Sequence, residues 1–164
     1  MTRAIVVMGV AGCGKSTLGR ALAHSLEWSF VEGDQCHPPE NVARMTAGIP
    51  LDDAARQPFL RNVATALTAS HNGAVASCSA LKRDYRDLIR RQVGDVLFVL
   101  PHLSRADLEQ RMSQRPGHFM PTSLLDSQLA TLEPPDPDER ALVIDGNLPV
   151  ADQVRQIEAA LQHS

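Results

Sequence analysis

The sequence predicts an α/β fold in which a mostly parallel sheet carries helices on both of its faces. Short apolar runs of strand length alternate along the chain with longer segments whose apolar residues recur at helical spacing. A strand, a helix and a second parallel strand form a right-handed crossover, and repeated crossovers build this class of fold. The length of 164 residues suits one domain, so we expect a single domain over residues 1–164.

Five apolar runs are the candidate strands. Most are rich in Val, Ile, Leu and Ala without an alternation of apolar and polar residues, which is typical of strands buried on both faces. In chain order they are Ala4–Met8, Ser29–Glu32, Ala74–Ser79, Val96–Leu100 and Ala141–Asp145.

Four helices are predicted between and after these strands. Ser16–Leu26 repeats leucine at every fourth position, and Pro58–Ala69 has apolar residues three or four apart, so each presents one apolar stripe. Lys82–Arg91 follows Ser79, which is a candidate N-cap. Ala151–Leu161 is the last predicted helix.

Two segments, residues 33–69 and 104–132, are longer than a simple crossover needs. We therefore expect both to be insertions that cover substrates. A proline-rich stretch, Glu133–Asp138, connects the second segment to the last strand.

Composition and charge indicate which partners the protein can bind and in which cellular compartment it is expected. The net charge is -3 and there is no basic run, which disfavours a nucleic-acid footprint. The three cysteines lack metal-ligand spacing and suit a reducing cytosol. The N-terminal apolar run is too short for a signal peptide or a membrane span. We expect a cytoplasmic protein that binds neither nucleic acid nor membrane.

Residues Gly9–Ser16 read GVAGCGKS and match the pattern G-x-x-x-x-G-K-[ST], directly after a predicted strand and before a predicted helix. In such a phosphate loop, backbone N–H groups surround a phosphate at the N-terminus of the following helix. The Lys15 ammonium can bridge the β- and γ-phosphates, and the Ser16 hydroxyl can ligate Mg²⁺. The motif predicts a nucleotide-phosphate site.

Three classes of protein share this loop, and the sequence favours one of them. A GTPase should carry N-K-x-D and D-x-x-G motifs, and the sequence has neither. A nucleic-acid motor should be longer and more basic, with an acidic pair at the end of a strand, whereas Val96–Leu100 runs into Pro101 and His102. A small-molecule kinase fits the size, the charge and the two insertions. Residues 33–69 then become the acceptor-binding insertion and residues 104–132 the lid.

An acidic stretch, Glu32-Gly33-Asp34, follows the second predicted strand. Ligands of open α/β sheets lie beyond the carboxyl ends of the strands, so these carboxylates should face the phosphate loop. A carboxylate there can accept the proton of an acceptor hydroxyl as it attacks the γ-phosphate. Asp34 as a helix cap or turn residue remains the alternative, and His37 before Pro38 is equally compatible with a turn.

The chain resembles the small P-loop gluconokinases of the thermoresistant type. The resemblance covers nearly the whole length and rests on motifs beyond the phosphate loop. They are EGD at 32–34, HPPEN at 37–41, RM at 44–45, GIPLDDAARQPFL at 48–60, CSALKRDYR at 78–86, GHF at 117–119, LLDSQ at 124–128 and LEP at 132–134.

The resemblance implies a three-layer P-loop kinase fold like that of nucleoside monophosphate kinases, with a lid and a parallel sheet of order 2-3-1-4-5. It also implies an enzyme that transfers the γ-phosphate of ATP, with Mg²⁺, to the 6-hydroxyl of D-gluconate. A cytoplasmic homodimer is the expected assembly. The alternatives are a kinase for another small hydroxy-acid such as shikimate, or a nucleotide-binding regulatory protein without kinase activity.

The expected site residues fall into four groups. The catalytic group is Lys15, Asp34, Arg111 and Arg115, the two arginines lying four apart on a predicted helix of the lid. Contacts to ATP are expected from Gly9, Ala11, Gly12, Cys13, Gly14, Lys15, Ser16, Thr17, Arg111 and Arg115. Contacts to gluconate are expected from Asp34, His37, Arg44, Arg56, Ser79, Lys82, Arg86, His118 and Gln128. The metal is expected on Ser16, with Glu32 as a second candidate acting through a water molecule.

Overall fold

The computed structural model describes residues 2–114 and 122–163, and its centre is a parallel sheet of five strands in the order β2-β3-β1-β4-β5. The strands are β1 (Ala4–Val7), β2 (Ser29–Glu32), β3 (Ala74–Ser77), β4 (Leu97–His102) and β5 (Ala141–Asp145). The α/β class and the order 2-3-1-4-5 are therefore confirmed.

Helices follow the strands along the chain. They are α1 (Lys15–Leu26), α2 (Pro39–Thr46), α3 (Asp53–Thr68), α4 (Arg83–Val93), α5 (Arg105–Ser113), α6 (Thr122–Thr131) and α7 (Val150–Gln162), with a 3₁₀ turn at Gly33–Cys36. Within the described part of the chain, none of them has the length and apolarity to cross a membrane.

The sheet has an apolar layer on each face because successive strand residues point to opposite sides. Val6 of β1 packs in the layer formed with α3 and α4, whereas Ile5 and Val7 pack in the layer formed with α1 and α7. All three side chains are fully buried. The fold thus has three layers, and the loops that follow the strands meet at the carboxyl edge of the sheet.

One predicted helix start and one predicted N-cap are wrong. Helix α3 begins at Asp53, five positions before Pro58, because the Asp52 carboxylate caps it by accepting a hydrogen bond from the Ala55 N–H at 2.7 Å. Helix α4 begins at Arg83 with Lys82 as its N-cap residue, so Ser79 is not a cap. Strand β3 ends at Ser77, and the residues after it form a loop in which Ala80 has a φ of 43°.

A buried ion pair attaches α4 to the segment before β5. The Arg86 Nε donates to Glu139 Oε1 at 2.7 Å, and neither side chain is exposed to solvent. The half-buried Arg90 donates to the same carboxylate oxygen at 2.7 Å. Burial alone would raise the pKa of Glu139, but hydrogen bonds from Arg86, the Asp136 N–H and Arg90 outweigh it and lower that pKa to about 2.

The Glu139→Gln substitution should destabilise the fold in a pH-dependent way. It leaves Arg86 buried without its counter-ion, which typically costs about 3–5 kcal/mol in the free energy of unfolding. Because the folded pKa is about 2 and the ordinary value is 4.5, the stabilisation by Glu139 is complete above about pH 4.5 and is lost as the pH falls towards 2.

Urea titrations of both proteins at pH 7, 4 and 2.5 measure this difference. The two free energies of unfolding should converge as the solution becomes acidic. Equal stability at pH 7, or a gap that stays constant down to pH 2.5, would contradict the assignment.

Candidate active site

The phosphate loop lies between β1 and α1, as its motif predicts. Gly12 and Gly14 have φ angles of 85° and 87°, values at which other residues are strained. Helix α1 begins at Lys15, directly after Gly14, so its positive N-terminal end lies at the loop. Helix α5 crosses the loop so closely that a Cβ on Gly12 would lie 3.1 Å from Met112 Cγ.

Two polar side chains contact the backbone of the phosphate loop. The Lys15 Nζ donates to the Val10 carbonyl at 3.0 Å, which keeps the ammonium folded against the loop. The Ala11 N–H donates to Gln128 Oε1 on α6 at 2.6 Å. Gln128 therefore contacts the phosphate loop. The sequence had instead suggested that its side chain contacts the acceptor sugar.

The buried Cys13 thiol belongs to the loop's packing. Burial raises its pKa, and the nearby charge of Lys15 only partly opposes that effect. Burial therefore favours the protonated thiol over the reactive thiolate.

Oxygen-bearing side chains from three elements meet beside the loop. Glu32 Oε1 accepts hydrogen bonds from Ser16 Oγ at 2.9 Å and from Ser77 Oγ at 2.6 Å. Among residues 2–114 and 122–163 there is no cluster of three or more His, Cys, Asp or Glu side chains that could hold a metal. Mg²⁺ prefers oxygen ligands and usually takes only one or two from the protein, with the rest from phosphates and water. Ser16 and Glu32 fit that requirement.

A cavity of about 290 Å³ opens beside the phosphate loop, between α5, α7 and the turn after β5. It is lined by Gly12, Cys13, Gly14, Thr17, Leu18, Arg111, Gln114, Leu148, Val150 and Gln153. The Arg111 Nη2 donates to the Gly146 carbonyl at 2.8 Å, and its Nη1 lies 3.6 Å from the place of a Cβ on Gly14. The Arg111 guanidinium thus lies between the phosphate loop and the turn after β5.

Sequence reasoning missed Gln153, whose side chain is buried in this wall of the cavity. Its Nε2 donates to the carbonyls of Leu148 at 2.8 Å and Gly146 at 3.3 Å. These bonds fix the shape of the turn after β5. A glutamine in an amphipathic helix carries no signal of such a role, because its partners are backbone atoms of a loop.

The 3₁₀ turn after β2 positions Asp34 and His37. A Cβ on Gly33 would lie 1.9 Å from the Ser77 carbonyl oxygen, so only glycine allows β2 to approach β3 there. Asp34 follows and is exposed. The His37 ring stacks on Phe59 with centroids 3.8 Å apart.

The protonation of His37 follows from its neighbour Asn41, which is buried. Asn41 Nδ2 donates to the Ala55 carbonyl at 2.8 Å and lies 3.3 Å from His37 Nδ1. An amide nitrogen is only a donor, so Nδ1 accepts and the ring proton is on Nε2. Burial lowers the pKa of His37, an effect that the charge of Asp34 opposes and that of Arg56 adds to.

Arg56 and Lys82 come together in a polar cluster that we call the cation cluster, formed by Asp53, Arg56, Lys82 and Tyr85. The Tyr85 hydroxyl donates to Asp53 Oδ1 at 2.6 Å, and Lys82 Nζ lies 3.3 Å from the same oxygen. Arg56 Nη1 donates to the Tyr85 oxygen at 3.2 Å. Sequence reasoning missed Asp53 and Tyr85, which hold the two cations side by side.

The remaining expected substrate residues lie in different surroundings. Arg44 is exposed on α2, and Ser79 is half-buried in the loop after β3. Arg86 has no exposed surface and is paired with Glu139, so we correct its expected role: it lies behind the site and not in it. Arg115 and His118 lie outside the described residues.

This chain is similar to known proteins both in sequence and in fold. A family model described as an AAA domain matches residues 5–135. A gluconokinase of Gluconobacter oxydans (strain 621H) is 48% identical over 148 residues, which cover 88% of this chain and 83% of that relative. The thermoresistant gluconokinase of Escherichia coli (strain K12) is 38% identical over 149 residues, covering 88% and 85%.

The crystal structure of a gluconokinase from Sinorhizobium meliloti 1021 has a TM-score of 0.87 to this chain at 48% identity. The match covers 98% of this chain and 91% of that one. The similarity therefore extends over nearly the whole chain and is not limited to the phosphate loop.

A titration of the histidine rings by NMR should give His37 a pKa below its ordinary value of 6.5. In the Asn41→Asp variant that pKa should rise, because a carboxylate favours the charged imidazolium. The His37→Gln variant assigns the signal. A pKa at or above 6.5 in the wild type would contradict the effect of burial on His37, and one unchanged by Asn41→Asp would contradict its contact with Asn41.

Proposed function

The chain belongs to the gluconokinase family and is an enzyme that phosphorylates gluconate, and from this premise we propose which of its residues bind the two substrates and carry out the transfer. The phosphate donor is ATP, the accepting group is the 6-hydroxyl of D-gluconate, and the products are ADP and 6-phospho-D-gluconate. Residues at the carboxyl edge of the sheet are assigned from their position there, and Arg115 and His118 are assigned from the family resemblance alone.

One contact carries the proposal. The Gly9 N–H of the phosphate loop donates to the Ser79 carbonyl at 3.1 Å, so the phosphate loop and the loop after β3 are bonded directly. Lys82, a member of the cation cluster, lies three residues after Ser79. A phosphate donor on one loop and an anionic acceptor on the other would be neighbours, which direct transfer requires.

ATP is proposed to place its base in the cavity beside α5 and its phosphates on the phosphate loop. Backbone N–H groups between Gly9 and Thr17 and the positive end of α1 would hold the β-phosphate. Lys15 would leave the Val10 carbonyl to follow the γ-phosphate, and Arg111 would stabilise its spreading charge. Arg115 is proposed for the same role.

Mg²⁺ is proposed to be held by the Ser16 hydroxyl, with Glu32 acting through a water molecule. A bound Mg²⁺ would neutralise charge on the β- and γ-phosphates. Glu32 already accepts hydrogen bonds from Ser16 and Ser77, so its carboxylate is fixed in direction beside the proposed ligand.

Gluconate is proposed to lie between the cation cluster and the 3₁₀ turn. Its carboxylate would pair with Arg56 and Lys82, and Arg44 is a further candidate on the exposed α2. His37, Ser79 and His118 would contact its hydroxyl groups. Asp34 would accept the proton of the attacking hydroxyl.

The two insertions are proposed to have different functions. Residues 33–69 would bind the acceptor, and residues 104–132 would form the lid that excludes water during transfer. A cytoplasmic homodimer remains our proposal for the assembly, supported by the family resemblance. The alternatives, another hydroxy-acid as acceptor or a regulatory protein without kinase activity, are not favoured by the gluconokinase relatives.

A coupled assay of ADP release with and without gluconate tests the function. We expect turnover that depends on gluconate and is not supported by shikimate. The Lys15→Met variant should lose about 10²-fold or more in kcat, as removal of a charge-stabilising group typically does. Equal ADP release with and without gluconate would contradict the kinase, and near-normal turnover of Lys15→Met would contradict the phosphate-loop assignment.

The Asp34→Asn substitution tests the proposed base. Asparagine has nearly the same shape but cannot accept a proton, so kcat should fall by about 10²- to 10⁴-fold while the affinity for ATP stays unchanged. A residue that merely orients the hydroxyl would also lower kcat, but a base gives an acid limb in the pH profile of kcat/KM. That limb should vanish in the variant. Wild-type turnover at pH 7 would remove Asp34 from the mechanism.

A further inference from the structure

Residues 79–82 of the loop between β3 and α4, which we call the acceptor loop, include one residue with a strained backbone. Ala80 has a φ of 43°, in the left-handed region that non-glycine residues seldom adopt. Strain of this kind persists only where surrounding contacts fix the conformation, and it is concentrated at functional sites. The question is what holds Ala80 in place.

Three consecutive carbonyl groups of this loop are bonded to three different parts of the molecule. The Ser79 carbonyl accepts from the Gly9 N–H at 3.1 Å, and the Leu81 carbonyl accepts from the Glu133 N–H at 2.7 Å. Between them, the Ala80 carbonyl accepts from Arg86 Nη1 at 2.9 Å. The Arg86 bond is the one of the three that a side chain supplies, so it can be removed by substitution.

Arg86 is itself held rigidly. Its Nε and Nη2 donate to the two oxygens of Glu139 at 2.7 Å and 3.0 Å, which is a bidentate pair. Arg90 donates to Glu139 but has no bond to the acceptor loop among those of the described residues. Arg86 and Arg90 therefore share a carboxylate and differ in the contact to Ala80.

The buried pair of Arg86 and Glu139 is not explained by stability alone, because removing two charges from water costs free energy that their attraction only partly offsets. Apolar side chains of similar volume are often as stabilising as a buried ion pair. Arg86 nevertheless places one guanidinium nitrogen on the carbonyl of the strained residue itself. Ser79 and Lys82, on either side of Ala80 and Leu81, are both proposed contacts to the acceptor.

We propose that Arg86 is a positioning residue for the acceptor: by holding the Ala80 carbonyl it keeps the acceptor loop in the one conformation that directs Ser79 and Lys82 at gluconate. This inference rests on the proposed function and deepens it. Arg86 does not touch the substrate, and it acts through the backbone of the loop.

The Arg86→Lys variant tests the inference, with Arg90→Lys as its matched control. A lysine keeps a positive charge for Glu139 but lacks the planar fork needed to reach Glu139 and Ala80 together. In Arg86→Lys the KM for gluconate should rise about tenfold, because the left-handed conformation of alanine is otherwise disfavoured by about that factor. The KM for ATP should stay unchanged. Arg90→Lys should leave both KM values unchanged.

Adding Ala80→Gly to Arg86→Lys should restore most of the gluconate affinity, since glycine adopts a positive φ without a steric cost. A merely structural role for Arg86 would not predict this rescue. If Arg86→Lys does not fold, Arg86→Met combined with Glu139→Met removes both buried charges, and the same rise in KM is expected.

An unchanged KM for gluconate in the Arg86 variant would overturn the inference. So would an equal rise in the Arg90→Lys control, or a failure of Ala80→Gly to rescue. These outcomes are distinct from failure of the proposed function, which would appear as an absence of gluconate-dependent turnover in the wild type.

Discussion

The parallel pairing of β1 with β3 continues beyond the ends of both strands, and the site depends on that continuation. The Cys78 N–H donates to the Val7 carbonyl and the Gly9 N–H to the Ser79 carbonyl, each at 3.1 Å. The ladder therefore passes from the buried strands into the phosphate loop and the acceptor loop. Two segments nearly seventy residues apart in sequence are therefore brought side by side by backbone bonds that continue the strand pairing.

The charges around the site are balanced in two different ways. Lys82 pairs with Asp53, whose side chain is 69% exposed, and water and salt weaken a pair of this kind. Such a cation can exchange its partner for an anionic ligand at little cost. Arg86 pairs with Glu139 where neither side chain meets solvent, so this pair cannot exchange. The exposed pair of Lys82 and Asp53 suits ligand binding, and the buried pair of Arg86 and Glu139 suits a structural role behind the site.

Sequence reasoning predicted the features whose cause is local. The phosphate loop, the five strands and the amphipathic helices each follow from neighbouring residues. It failed where a structural role depends on a contact that the local sequence does not show. Pro58 is typical of a helix start, but the Asp52 cap places the start at Asp53. Arg86 is typical of an exposed cation, but it pairs with Glu139, 53 residues later in the chain. Gln128 likewise has its partner, Ala11, 117 residues away. A single sequence states the residue type at such positions but not which distant atom it meets.

Gly33 limits any redesign of residues 33–69, the segment that we propose to bind the acceptor. Because the Ser77 carbonyl oxygen occupies the space of any Cβ at that position, every library member with another residue there must first separate two strands of the sheet. Substitutions are better made on the exposed face of α2, where Arg44 lies and where side chains can change without displacing the backbone. A position that accepts only glycine and a position open to substitution, Gly33 and Arg44, thus lie eleven residues apart in the chain.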